Sequence, residues 1–125
     1  MAQREILFKA RRTDNGEWVE GDVVTDIEGN PVAIAGYDNH TAKLQFEIDP
    51  ETLCQYTGLL DKNGAKIFEW DKGSHPDYGI GFVEWNNQNS DFGIYPTSDT
   101  EDDGSYPFFV SGFFANAEIT GNIHD

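Results

Sequence analysis

The sequence predicts a mainly β fold, a small and tightly bent barrel or roll with at most one short helical turn. Three observations carry that reading. Thirteen glycines and recurring turn signals cut the 125 residues into short runs. Those runs are rich in β-branched and aromatic side chains, which pack well on a pleated surface. No window of about 11 residues repeats its apolar positions at the 3.6 period of a long helix.

The elements follow in order. A first strand is expected near residues 4–11, and Asp14-Asn15-Gly16 then turns the chain into a second near 17–24. Glu28-Gly29-Asn30-Pro31 leads into a strand near 31–36, followed by another near 42–48. Asp49-Pro50-Glu51-Thr52 is the one helical hint, since Asp can cap and Pro suits the first helical position. Strands near 54–59 and 66–70 flank Lys62-Asn63-Gly64, whose residues tolerate the positive φ of a tight hairpin. Near 79–86, Phe82 and Glu84 alternate with Val83 and Trp85 as in a half-buried strand. Further strands are expected at 92–95, 106–113 and 117–123, with a turn at Asp102-Asp103-Gly104.

The length suits one domain, and aromatic residues at 14% supply core area that a hydrophobic share of 38% would otherwise leave short. That argues for a folded chain despite a mean hydropathy of -0.58. A faint echo runs through the sequence. Asn15-Gly16 followed by Val19-Glu20-Gly21-Asp22 resembles Asn63-Gly64 followed by Phe68-Glu69-Trp70-Asp71. A single domain over 1–125 is therefore expected, with two related β units, about 1–48 and 49–125, as the alternative organisation.

Charge is the loudest feature. Eight Lys and Arg stand against 23 Asp and Glu, a net charge of -15. Four of the eight (Arg4, Lys9, Arg11, Arg12) fall in residues 1–12, and none follows Lys72. A surface this acidic repels phosphate, which argues against direct DNA or RNA binding. Cys54 is the single cysteine, so an internal disulfide and a multi-cysteine zinc site are excluded. No apolar run reaches the roughly 18 residues of a membrane span, and no signal-peptide core opens the chain. A soluble, cytoplasmic protein with no membrane contact is expected.

The run Gln55-Tyr56-Thr57-Gly58-Leu59-Leu60-Asp61-Lys62-Asn63-Gly64-Ala65-Lys66-Ile67-Phe68-Glu69-Trp70-Asp71 closely resembles the YopX-like family of phage and prophage proteins. Arg4-Glu5-Ile6-Leu7-Phe8-Lys9-Ala10 resembles the family's opening, and Asn15-Gly16-Glu17-Trp18-Val19-Glu20-Gly21 its second element. Asp49-Pro50-Glu51-Thr52 and the closing Glu118-Ile119-Thr120-Gly121-Asn122-Ile123-His124-Asp125 fit in the same order. One departure stands out: Trp70 occupies a tight corner where members usually carry glycine. The resemblance implies a roll of the Src-homology-3 type with extra hairpins and a phage or prophage origin, hence the host bacterial cytoplasm. It supplies no catalytic residues and no established activity.

Read one by one, the chemical candidates favour plain structural roles. Asp99, Glu101, Asp103 and Gly104 fall at positions 1, 3, 5 and 6 of a calcium loop. Position 12, where a Glu should close the shell, is Val110. His40, His75 and His124 are scattered, and His75-Pro76-Asp77 reads as a turn. Cys54 has no positioned base, Ser111-Gly112 lacks the nucleophile-elbow pattern, and Gly79-Ile80-Gly81 lies inside a strand. No enzyme, no metal and no cofactor are expected.

Two surfaces remain. Phe108-Phe109 and Phe113-Phe114, set on a strand, would send rings to both faces. Such a strand is either buried on both sides or part of a homo-oligomeric interface, and self-association, most simply as a homodimer, is expected. The acids Glu17, Asp22, Asp26 and Glu28, with Asp99, Glu101, Asp102 and Asp103, are candidates for contact with a basic host protein, a nuclease or other nucleic-acid-binding enzyme. The leading expectation is a non-enzymatic inhibitor of a host defence or nucleic-acid enzyme, carboxylates standing where phosphates would. The rival is a small-ligand binder that sequesters a nucleotide signal in an aromatic pocket between subunits. Trp18, Trp70, Trp85 or the Phe cluster would stack there, and Arg4, Lys9, Arg11 or Arg12 would meet phosphate.

Overall fold

The computed structural model describes residues 5–38, 42–87, 91–96 and 110–125. The chain divides into two compact units, Met1–Tyr56 and Thr57–Asp125. In the first, β1 (Phe8–Arg11), β2 (Trp18–Thr25), β3 (Pro31–Asp38), β4 (Ala42–Glu47) and the start of β5 (Cys54–Leu60) pair in the order β4-β3-β2-β1-β5. All four pairings are antiparallel, and the expected turns form at Gly16 (φ 72°) and Gly29 (φ 89°). Ala10, Ile34 and Ile48 are buried, with Phe8, Val19 and Leu53 packed against them. The helical hint becomes a single 3-10 turn, Pro50–Thr52, and Asp49 caps it by accepting the Glu51 N–H at 3.1 Å. Cys54 is fully buried, and its thiol donates to the Thr52 carbonyl at 3.2 Å.

β2 serves two neighbours in succession. Its first half pairs with β1 as far as Phe8↔Gly21, and its second half pairs with β3 from Asp22↔Ala35. A Cβ on Gly21 would stand 2.1 Å from the Ala35 carbonyl oxygen, so the hand-off requires glycine.

In the second unit, the later part of β5 turns at Gly64 (φ 83°) into β6 (Lys66–Phe68). β7 (Asp71–His75), β8 (Gly79–Asn86), β9 (Asp91–Pro96) and β10 (Glu118–Asn122) form an antiparallel sheet of order β10-β7-β8-β9. One short helix, α1 (Val110–Phe114), packs with Ile67, Val83, Ile94 and Ala117 in a single buried cluster. Gly73 on β7 makes room for it. A Cβ there would lie 2.5 Å from Cε1 of Phe114.

The mainly β expectation therefore holds, with two antiparallel sheets, but neither sheet closes into a barrel. Among the described residues β4 and β9 each pair along one side only, and a barrel needs its last strand to meet its first. The strand expected over 106–113 is also corrected. From Val110 the chain is helical, because Val110, Phe113 and Phe114 fall at i, i+3 and i+4 and so reach one cluster together. The strand expected at 66–70 stops at Phe68, and an unexpected strand, β7, begins at Asp71. The echo between the two corners ends there too. Glu20-Gly21-Asp22 runs on inside β2, whereas Glu69 and Trp70 break the chain between β6 and β7.

Buried polar side chains hold the turns of the second unit. Asp61 Oδ1 accepts the N–H groups of Asn63 and Ala65, both at 2.9 Å, and Oδ2 accepts that of Ile119 at 3.0 Å. Burial pushes this carboxyl up, but the three backbone donors outweigh it and hold the group below the ordinary Asp value. Asp71, only 2% exposed, accepts the Phe68 N–H at 2.8 Å through Oδ2 and the Asn122 amide at 2.9 Å through Oδ1. His75 Nδ1 accepts the N–H groups of Asp77 and Tyr78 at 3.0 and 3.3 Å, which assigns its ring proton to Nε2.

Trp70 stands between these anchors with φ 68°, the one non-glycine residue at positive φ among those described. That conformation costs about 1–2 kcal/mol for a side chain bearing a Cβ. Backbone bonds on both sides enforce it: the Trp70 N–H donates to Val83 O at 2.7 Å, and the Ile123 N–H donates to Trp70 O at 2.9 Å. The indole stacks on Phe82 at 6.2 Å and meets the His124 ring edge-on at 6.3 Å.

Asp61→Ala is expected to lower stability by about 2 kcal/mol in urea unfolding, since it strands buried N–H donors. Asp61→Asn keeps an acceptor for the turn but turns an amide N–H₂ towards Ile119, so hydrogen exchange should accelerate at Ile119 more than at Asn63 or Ala65. Because the folded-state pKa is depressed, the carboxylate's contribution is complete above the unfolded value of about 4. It is lost as pH falls through the folded value, and Asp61→Asn should flatten the acid limb of a pH–stability curve.

Trp70→Gly should be more stable than Trp70→Ala by about 1 kcal/mol, because both lose the ring and only alanine retains the backbone strain. Equal melting points for the two would show the corner to be unstrained. Gly73→Ala should cost about 2 kcal/mol by displacing Phe114, measured by urea unfolding.

Candidate partner-binding surface

The described candidate acids lie in the first unit. Because side chains alternate along a strand, Trp18, Glu20 and Asp22 share one face of β2, opposite the core-facing Val19. The register places Arg11 across from Trp18 and Lys9 across from Glu20. Lys9 Nζ stands 4.6 Å and Arg11 Cζ 4.9 Å from the Trp18 ring centroid, and Arg11 Nη1 also donates to the Gly16 carbonyl. These are cation–π distances, so the indole gathers the two cations of β1. Arg12 lies 4.4 Å over Phe46 and grips Asp14 through Nε and Nη2, at 2.9 and 2.5 Å. That bond holds the Asp14 carboxyl below its ordinary value.

The expected acids of this unit are all exposed: Glu17, Asp22, Asp26 and Glu28. They do not share one face. Glu17 precedes β2, Asp22 lies within it, and Asp26 and Glu28 belong to the turn that follows. Asp26 organises that turn, accepting the N–H groups of Asn30 and Glu28 at 2.9 Å each, and the Asn30 bond leads in holding its carboxyl below the usual range. Asp99, Glu101, Asp102, Asp103, Phe108 and Phe109 lie outside the described residues. Phe113 and Phe114 are fully buried in the second unit's own cluster, 5.1 Å apart and edge to face, so this pair offers no exposed ring.

Two acids escaped the sequence reading. Exposed Glu20 shares Asp22's face, which counting back two residues along β2 would have found. Exposed Glu47 ends β4 beside a groove of about 540 Å³ lined by Val32, Ala33, Gln45, Glu47, Ile48 and Pro50. Register makes the groove: Ala33 pairs with Glu47, and its small side chain sets a low floor between larger neighbours. Thr13 Oγ1 donates to Glu47 Oε1 at 3.1 Å and orients the carboxylate. Ala33 and Glu47 meet only through the β3–β4 register, which left no local signal for the groove.

Residues 7–125 match the family described as YopX protein. The chain belongs to the YopX family. The match covers nearly the whole chain, and no curated protein matches it. The YopX-like residues of the central motif have defined work in the fold: Asp61 binds three backbone N–H groups, Gly64 turns the β5–β6 hairpin, and Asp71 ties the β6–β7 corner to Asn122. Among the described residues no three of His, Cys, Asp and Glu gather as a metal site. No helix there is long and apolar enough to cross a membrane.

Proposed function

We propose that this YopX-family protein is a phage- or prophage-encoded binding protein, not an enzyme, that inhibits a basic host protein in the bacterial cytoplasm. The carrying observation is the exposed series Glu17, Glu20, Asp22, Asp26 and Glu28 in a chain of net charge -15. Nucleases and other nucleic-acid enzymes present basic grooves, and carboxylates compete there with phosphate. Glu20 and Asp22 lie about 7 Å apart along their strand at roughly 3.3 Å per residue, sparser than the one charge per about 1.7 Å of duplex DNA. Recognition would accordingly rest on separate carboxylate–Arg or carboxylate–Lys pairs, not on a copied phosphate lattice.

A second reading, the nucleotide-sequestering binder, is favoured by one cluster. Trp18 beside Lys9 and Arg11 combines an aromatic ring with phosphate-seeking cations. Both cations stand over the ring itself, which competes with base stacking. Self-association, which this rival needs, gains nothing from Phe113 and Phe114, since both are core residues.

Affinity capture from a bacterial host lysate, eluted by rising salt, tests the proposal. The expected result is a dominant basic nucleic-acid-binding protein, released by salt and lost with the folded triple variant Glu20→Gln, Asp22→Asn, Glu28→Gln. Capture of the same protein by that variant would overturn the proposal. A co-purifying nucleotide with no protein would replace it with the second reading.

A further inference from the structure

We infer that the groove between β3 and β4 in the first unit is the seat for one arginine or lysine side chain of a basic partner. The inference rests on the proposed basic-partner reading and names the place where that partner would be gripped.

Pairing of Ala33 with Glu47 sets a small residue, 8% exposed, between longer ones and opens a trough of about 540 Å³. Val32, 40% exposed, and exposed Pro50 give it apolar surface, whereas Ile48, 3% exposed, belongs to the core. Arg and Lys are amphipathic, with three or four methylenes that favour apolar walls and a charged head that does not. The trough offers both surfaces. Its apolar residues can take the stem, and Glu47 supplies a carboxylate for the head, with Gln45 as a neutral hydrogen-bonding neighbour.

Orientation and charge point the same way. The Thr13 hydroxyl fixes Glu47 Oε1, so the carboxylate is held in place before any partner arrives. An acidic or neutral side chain would meet Glu47 and the field of a -15 chain, whereas a guanidinium or ammonium would be drawn in. Charge complementarity thus selects a cationic residue, and the apolar walls select one with a long stem.

The probe is a synthetic oligo-arginine peptide, titrated at low salt into the full chain by calorimetry and by amide chemical-shift mapping. Glu47→Gln keeps an acceptor for Thr13 but removes the charge, and Gln45→Arg puts a cation on the exposed wall. Each is expected to weaken binding about fivefold or more with circular dichroism unchanged, and the wild-type map should centre on Val32, Ala33 and Gln45. If both variants bind as wild type while Glu20→Gln, Asp22→Asn, Glu28→Gln binds weakly, the groove is overturned and the broader acidic-surface reading stands. If the wild-type chain fails to bind the peptide at low salt, both are overturned.

Discussion

Asp61 sits where the β5–β6 turn meets the start of β10, and its two oxygens serve backbone donors from both. Three N–H groups converge on one carboxylate, two from the turn itself and one from Ile119, 58 residues away in sequence. A neutral acceptor with a single oxygen could satisfy the turn or the strand, but not both with the same strength. The hairpin's shape and the placement of the last strand are thereby coupled through one side chain. The Lys62 N–H, which donates to Ala117 O at 3.4 Å, lies along the same seam.

The next corner solves a similar problem by different means. Glu69 and Trp70 carry the chain from β6 to β7, and Asp71 and Asn122 supply the hydrogen bonds that a regular ladder would otherwise provide. Trp70 is held at φ 68° by that frame, with its indole spread over Phe82. Ring packing offsets part of the backbone cost, which is how a bulky residue persists at positive φ. Buried polar residues in this unit thus do backbone work, Asp61, Asp71 and His75 each accepting backbone N–H groups.

That division of labour separates the motif from the surface. The central-motif residues Asp61, Gly64 and Asp71 explain turns and anchors, while the exposed candidate acids and the Ala33 trough lie in the first unit. The proposed binding function draws on that surface, where its chemistry lies in charge and shape. The Lys9–Trp18–Arg11 cluster fits this picture as local compensation, two cations held on an indole within an otherwise acidic face.

The sequence by itself determined the β class, the turns at Gly16, Gly29 and Gly64, and the capped turn at Asp49. Each is a local property, set by φ preference, side-chain branching or the nearest hydrogen bond. Asp22 of β2 was legible for the same reason, whereas Glu20 on the same face was missed. Only the tertiary structure decided that Val110–Phe114 is helical, because adjacent phenylalanines read equally as a strand until Gly73 opens space for both rings in one cluster. It alone made a strand of Asp71-Lys72-Gly73-Ser74-His75, which has no β-branched residue and is strand through its pairing with β8 and β10. The groove was equally hidden, since Ala33 and Glu47 become neighbours only when β3 and β4 pair in register. Short-range preferences act within a few residues, whereas register and packing join positions that the chain keeps far apart.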